Sequence, residues 1–196
     1  MEQLSMELDL GAGRQWPETQ LPAGYHIRGW LPGRGDGAAW CRCCLEANLG
    51  VREASEAEFA RRMLADPSVV PANVLLLFAP DGEAAGTVTI QTPPARPDRL
   101  LLHMVAIATA YRGRGLSVPL NAAALERMLS GDYADPRPAT AGASPPRRVC
   151  LLTDDWRLPA IRCYLRLGFQ PVIRSGDAAM QGRWDAVFAC IAAGSA

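Results

Sequence analysis

Val105-Ala106-Ile107-Ala108-Thr109-Ala110-Tyr111-Arg112-Gly113-Arg114-Gly115-Leu116-Ser117 is the stretch whose reading decides the fold. It runs from the end of an apolar strand, through a basic glycine turn, into an amphipathic helix that begins near Ser117. Without a Cβ at Gly113 and Gly115, a ligand can approach the backbone closely. The unpaired N–H groups of the turn and of the first helical residues converge on one spot, and the helix start adds about half a positive elementary charge there. A phosphate fits such a place.

Working outward, Arg99 to Ile107 reads as the strand entering the turn, and Ser117 to Leu129 as the helix leaving it, with Leu120, Ala124, Leu125 and Met128 on one face. Upstream, Asn73 to Phe78 and Ala85 to Gln91 flank the turn Pro80-Asp81-Gly82 and read as a hairpin. Two helices precede it. Asp36 is a plausible N-cap for the first, through Trp40, Cys44 and Leu45; Ser55-Glu56-Ala57-Glu58 has capping-box spacing for the second. Tyr25 to Trp30 is a short strand, and the Gly33–Gly37 run after it lacks a Gly-Lys-Ser/Thr ending and reads as a turn. Met6 to Leu10 alternates and suits an edge strand within an extended arm, residues 1–23.

Downstream, residues 131–147 carry four prolines and little apolar content, which predicts a flexible insertion. Arg148 to Thr153 then reads as a buried strand and Leu158 to Leu167 as a helix with Gly168 at its C-terminal cap. Phe169 to Ile173 and Trp184 to Ile191 read as two closing strands. Strands followed by helices in this mixed order predict an α+β domain over residues 24–192.

The 196 residues suit one domain with a sizeable core. The 20 basic residues, all arginine, balance 20 acidic ones, so no bulk charge argues for nucleic acid or a membrane surface. No stretch approaches the roughly 20 apolar residues that span a bilayer, and Met1 to Leu10 lacks a signal-peptide pattern. A cytoplasmic protein with mostly free thiols is the expectation. Cys41-Arg42-Cys43-Cys44 lacks zinc-ligand spacing and a second Cys/His pair, so helix packing is expected there and no metal.

The order strand, aromatic, Arg112-Gly113-Arg114-Gly115-Leu116-Ser117, helix, and then Ala160-Ile161-Arg162-Cys163-Tyr164-Leu165-Arg166-Leu167-Gly168-Phe169, resembles the GNAT superfamily of N-acetyltransferases, with Ser117 in place of the signature's last Gly/Ala. The block Thr153 to Ile161 is similar to the mycothiol-synthase-like branch. The resemblance implies a single twisted, mostly antiparallel mixed sheet of about seven strands flanked by helices, splayed between its fourth strand (Arg99–Ile107) and fifth (Arg148–Thr153). It implies acetyl-CoA as acyl donor and no metal. Val105, Ala106 and Ile107 would offer backbone contacts to the pantetheine arm, and Gly113, Arg114, Gly115, Leu116, Ser117 and Val118 would wrap the pyrophosphate chiefly through backbone N–H groups, with the Arg112 and Arg114 side chains adding charge.

In the same resemblance Tyr164 occupies the general-acid position, while Arg157 replaces a common Asn and Leu152 stands where some relatives carry a basic Glu. His103 titrates in a useful range and, by simple alternation, shares a face with Val105, making it the candidate base. Asp154 and Asp155 are rivals for that role. Two functions follow: acetyl transfer to a small-molecule or peptide amine by direct attack on the thioester, or acyl-CoA binding without turnover by a sensor or interaction module. The first two helices and the segment Ser175 to Arg183, with Trp184, would form the acceptor side. Relatives are often dimers, so the resemblance allows a homodimer, while the sequence itself does not specify an oligomeric state.

Overall fold

A computed structural model describes residues 2–11, 15–16, 20–137 and 146–194. Seven strands form one mixed sheet in the order β2-β3-β4-β5-β6-β1-β7. They are β1 (Leu4–Asp9), β2 (His26–Gly29), β3 (Val69–Phe78), β4 (Ala84–Gln91), β5 (Arg99–Ile107), β6 (Arg148–Thr153) and β7 (Gln170–Pro171). Strands β2 to β5 are an antiparallel meander, whereas β5 and β6 run parallel.

Helices cover the faces unequally. Against one face lie α3 (Ser117–Ser130), α4 (Leu158–Arg166) and α5 (Ala178–Ala193), whose Leu120, Leu125, Ile161 and Trp184 join Leu77, Val88, Leu102, Leu151 and Met6 in the larger core. Against the other lie α1 (Asp36–Glu46) and α2 (Glu56–Phe59, continued by the π-helical turn Ala60–Leu64). Trp40, Cys41, Cys43, Cys44, Phe59 and Met63 pack there on Val74, Leu76 and Ala106. The three neighbouring cysteines are therefore core residues. Beyond β5 that second face carries Arg148 and Leu152 exposed on β6, and Glu7 half-buried on β1 between Arg99 and Arg148.

Both chain ends depart from the expected pattern. Leu4–Asp9 is no edge strand in an arm: it pairs with β6 on one side and β7 on the other, and Leu4, Met6 and Leu8 are fully or almost fully buried. Trp184 to Ile191, expected as a strand, lies in α5. Asp177 caps that helix by accepting from the N–H of Met180, and Trp184, Val187 and Ile191 recur at helical spacing toward the core. The sheet position beside β6 that a closing strand would take is filled by β1.

Smaller differences have local causes. Gly35, in the left-handed region, is the N-cap of α1; Asp36 instead turns inward to Arg28 and to the N–H of Leu31. Ser55 does cap α2, accepting from Glu58 N–H, but the Glu58 carboxylate takes the N–H of Arg52 rather than closing the reciprocal box. Only Gln170–Pro171 pairs out of Phe169 to Ile173. The end of α4 follows expectation: Gly168 at φ 93° lets its own N–H reach Leu165 and that of Phe169 reach Tyr164, a full Schellman closure. In the proposed insertion, Ala134 exchanges two hydrogen bonds with Asn73, so its first residues pack on β3. Residues 138–145 lie outside the described residues.

Candidate active site

Parallel pairing between β5 and β6 stops at Leu101↔Cys150. From there to Ile107 no strand among the described residues lies beside the outer edge of β5. The sheet opens into a cleft of ≈ 890 Å³ whose walls are Val105–Ile107, the glycine turn and start of α3, the end of α1, and Trp156 to Arg166 of the α4 region. Buried backbone amides need partners, so an open strand edge inside a cleft is a place for a ligand that carries amides of its own.

The floor of the cleft is the turn. Gly113 (φ 75°) and Gly115 (φ 72°) are both in the left-handed region, and open space lies where a Cβ would stand. Successive N–H groups in such a turn form an anion-binding concavity, extended by the first turn of α3. Pro119 sits in that first turn, where its missing N–H costs nothing.

Side chains at this wall behave differently from the sequence expectation. Arg112 donates to the carbonyls of Ile107 (3.1 Å) and Glu46 (2.8 Å). Arg114 donates to the Tyr25 hydroxyl and the Ala110 carbonyl and stacks over Tyr111. Both guanidinium groups brace the turn, and Arg114 is not on the cleft wall. Ser117 points its hydroxyl at the Cys163 thiol across the α3–α4 contact, 3.2 Å away. Arg157 donates to the carbonyls of Ala47 and Asn48, both at 2.8 Å, and pairs with Asp154. Together Arg112 and Arg157 hold the C-terminal carbonyls of α1 from opposite sides of the cleft.

A bulge re-aims the strand just above. Register runs Thr87↔Ala106 but Thr89↔His103, so β5 carries one extra residue, and Met104 takes φ 49° within it. A non-glycine residue at positive φ is uncommon and costs about 1–3 kcal/mol. The consequence corrects the alternation argument: His103 shares the face of Thr89 and Ala106, while Val105 turns to the other. His103 is half-buried and off the cleft wall. Burial lowers its pKa below the ordinary histidine value; the charge of Asp66 pulls it back up and that of Arg62 pushes it down.

Tyr164 is 6 % exposed, its ring edge-on to Phe169 in the larger core, and burial raises its pKa. The phenol is thus neutral at ordinary pH, one residue from the cleft-lining Cys163. Hydrogen bonds from Arg157 and Arg183 lower the pKa values of Asp154 and Asp155, which weakens both as bases. Trp184, expected near the acceptor, is fully buried.

A splayed mixed sheet, a bulge at the splay and a glycine turn feeding a helix N-terminus define an α+β domain that is open along one strand edge. The sequence profile described as the acetyltransferase (GNAT) family matches residues 40–134. That match covers just under half of the chain, and with this fold it makes residues 40–134 similar to the GNAT acetyltransferase family. A GCN5-related N-acetyltransferase from Sphaerobacter thermophilus is similar at 18% identity and TM-score 0.58, over 88% of this chain and 50% of that one. A tandem GNAT protein from the clavulanic acid biosynthesis pathway is similar at 20% identity and TM-score 0.60, over 87% and 50%. One from Kribbella flavida is similar at 16% identity and TM-score 0.53, over 87% and 55%. This chain therefore spans about half the length of these structures. No curated protein matches it in sequence.

Proposed function

We propose that the chain is an acetyl-CoA-dependent N-acetyltransferase that transfers the acetyl group directly to an amine. The observation that carries this is the continuity of one cleft from the unpaired edge of β5, Val105–Ile107, to the left-handed glycine turn and the start of α3. An extended ligand with amides along its length and a pyrophosphate at its end matches both. The group supplies an activated thioester carbonyl. The backbone of Val105 to Ile107 holds the arm, and a backbone N–H near Val105 polarises the carbonyl oxygen. Gly113 to Val118 take the pyrophosphate through N–H groups.

The amine needs to lose its protons and the departing sulfur gains one. His103 and Tyr164 both lie off the cleft wall, so in this reading the proton lost as the new C–N bond forms reaches His103 through water, and Tyr164, neutral by burial, supplies one by the same means as the C–S bond breaks. The block 153–161 keeps its resemblance to the mycothiol-synthase-like branch, with Asp154 and Asp155 serving as ion-pair partners there. Two observations favour the non-catalytic alternative: neither Tyr164 nor His103 is on the cleft wall.

Calorimetric titration with acetyl-CoA, followed by thiol release over a panel of amines, tests the reading. Binding with release is expected; tight binding without release on any amine supports the sensor, and no binding overturns both. Tyr164→Phe is expected to lower kcat by about 10²–10⁴-fold with acetyl-CoA affinity nearly intact. An unchanged rate removes Tyr164 from the reaction.

A further inference from the structure

On the face opposite the larger core, a cluster of buried polar side chains lies beside His103. Asp66 accepts at one oxygen from the N–H (2.8 Å) and hydroxyl (2.5 Å) of Ser68, and at the other from Gln91 Nε2 (3.1 Å). Gln91 Nε2 also donates to the Ser68 hydroxyl at 2.5 Å. Because a carboxylate only accepts, these bonds fix the orientation of the amide and leave Gln91 Oε1 facing away from them. Among the described residues that oxygen, which is buried, has no partner, and neither has the hydroxyl of Thr89. Thr89 is 0% exposed and Gln91 7%.

These groups belong to one place. Thr89 pairs with His103 and Gln91 with Leu101 across β4 and β5, which puts all four on one face of the sheet. Asp66, Leu101 and His103 are only half-buried, so the cluster borders the surface, and we read that border as a recess. Its unused hydrogen-bonding capacity is mostly acceptor: an amide oxygen, a hydroxyl, and the remaining lone pairs of a carboxylate. The nearest cation whose charge reaches His103, Arg62, is spent on Glu58 and the Gly50 carbonyl. Buried acceptors without donors are costly, and a carboxylate beside them favours a donor that is also positive.

We propose that this recess, formed by Asp66, Thr89 and Gln91, binds a second, cationic donor group of the acceptor, so that the preferred acceptors are linear diamines or compounds with an equivalent ammonium. The inference rests on the acetyl-transfer reading for where the first amine reacts. Thr89 and Gln91 stand opposite positions two and four residues before Val105, so the two nitrogens are roughly 7–13 Å apart at the usual rise per strand residue. Hexamethylenediamine spans the shorter part of that range, and hexylamine is its match without the second charge.

The wild-type chain is titrated calorimetrically with each compound, with and without CoA, and both are then used as acceptors in thiol release. The diamine is expected to bind about tenfold more tightly than the monoamine, the worth of one charge-assisted hydrogen bond. Asp66→Asn and Gln91→Leu are each expected to erase that ratio, in affinity and in KM. Thr89→Val, which keeps the shape, reduces it and serves where the other variants fail to fold. Equal affinity of the two amines overturns the proposal, as does a preference that survives Asp66→Asn, or a Thr89→Val chain that gains thermal stability with its preference intact, the result expected if only water fills the recess. Thiol release with no amine tested is instead the failure of the acetyl-transfer reading, and the titrations still decide the recess.

Discussion

On the proposed reading, the two sides of β5 bind by different means. Along its free edge and the turn that follows, the proposed recognition is by backbone: an unpaired strand, two left-handed glycines and a helix start, with the Arg112 and Arg114 guanidinium groups bracing the turn. On the opposite face, two residues before Val105, side chains prevail: Asp66, Thr89, Gln91 and His103 come from the end of α2, β4 and β5. A bulge at Met104 joins the two, aiming Val105 to one side and His103 to the other. A general donor can be held by geometry that many sequences make, whereas choice of acceptor needs particular functional groups.

The largest effect that tests this comparison is expected from Gly115→Leu. With open space at the position, the new side chain meets no neighbour in the fold but enters the volume in front of the turn. It also carries about 1–2 kcal/mol of left-handed strain. Losing one charged hydrogen bond set at the pyrophosphate is worth about 100-fold in acetyl-CoA affinity. Calorimetry reads the affinity and a thermal melt reads the strain. Unchanged affinity would falsify the backbone assignment, while preferences between amines are expected to stay the same.

A smaller effect is expected in the pH profile. Burial holds His103 below the ordinary value of 6.5, so it remains neutral, and the acid limb of kcat/KM lies below that value. Asp66 raises the pKa, and Asp66→Asn therefore moves the limb to more acid pH; Arg62 lowers it, and Arg62→Gln moves the limb toward neutral. Limbs that coincide in all three proteins remove His103 as the base. The same depression means that the unfolded chain binds this proton more tightly than the native one. The group's contribution to stability is thus complete above the unfolded value and is lost as pH falls through the native one.

Legibility in the sequence follows the same division. The turn could be read because its chemistry is local: spacing alone places Gly113 and Gly115 between a strand and a helix. The strand bounds of β5 and β6 and the cap at Gly168 were legible for that reason too. The recess was not, since Asp66, Thr89 and Gln91 meet only through β4–β5 register. Nor was the face of His103, because a one-residue bulge at Met104, without a glycine to mark it, reverses an argument from alternation. At the ends, Leu4–Asp9 and Trp184–Ile191 both carry apolar residues that suit a buried strand. Which of them enters the sheet depends on a long-range competition for the place beside β6, and only β1 has the strict alternation that fits it.

The smallest effect belongs to Arg114→Gln. A basic residue between two glycines invites the view that its charge holds phosphate. Its guanidinium, however, is committed to Tyr25, Ala110 and the Tyr111 ring, in an exposed position where solvent screens it. Exposed charge pairs are worth about 0–1 kcal/mol, so acetyl-CoA affinity is expected to fall by less than about fivefold, with a weak dependence on salt. A much larger, salt-sensitive loss would mean that Arg114 swings from Tyr111 to the pyrophosphate on binding. The turn would then be a side-chain site after all, and the contrast between the two sides of β5 would shrink to one of accessibility.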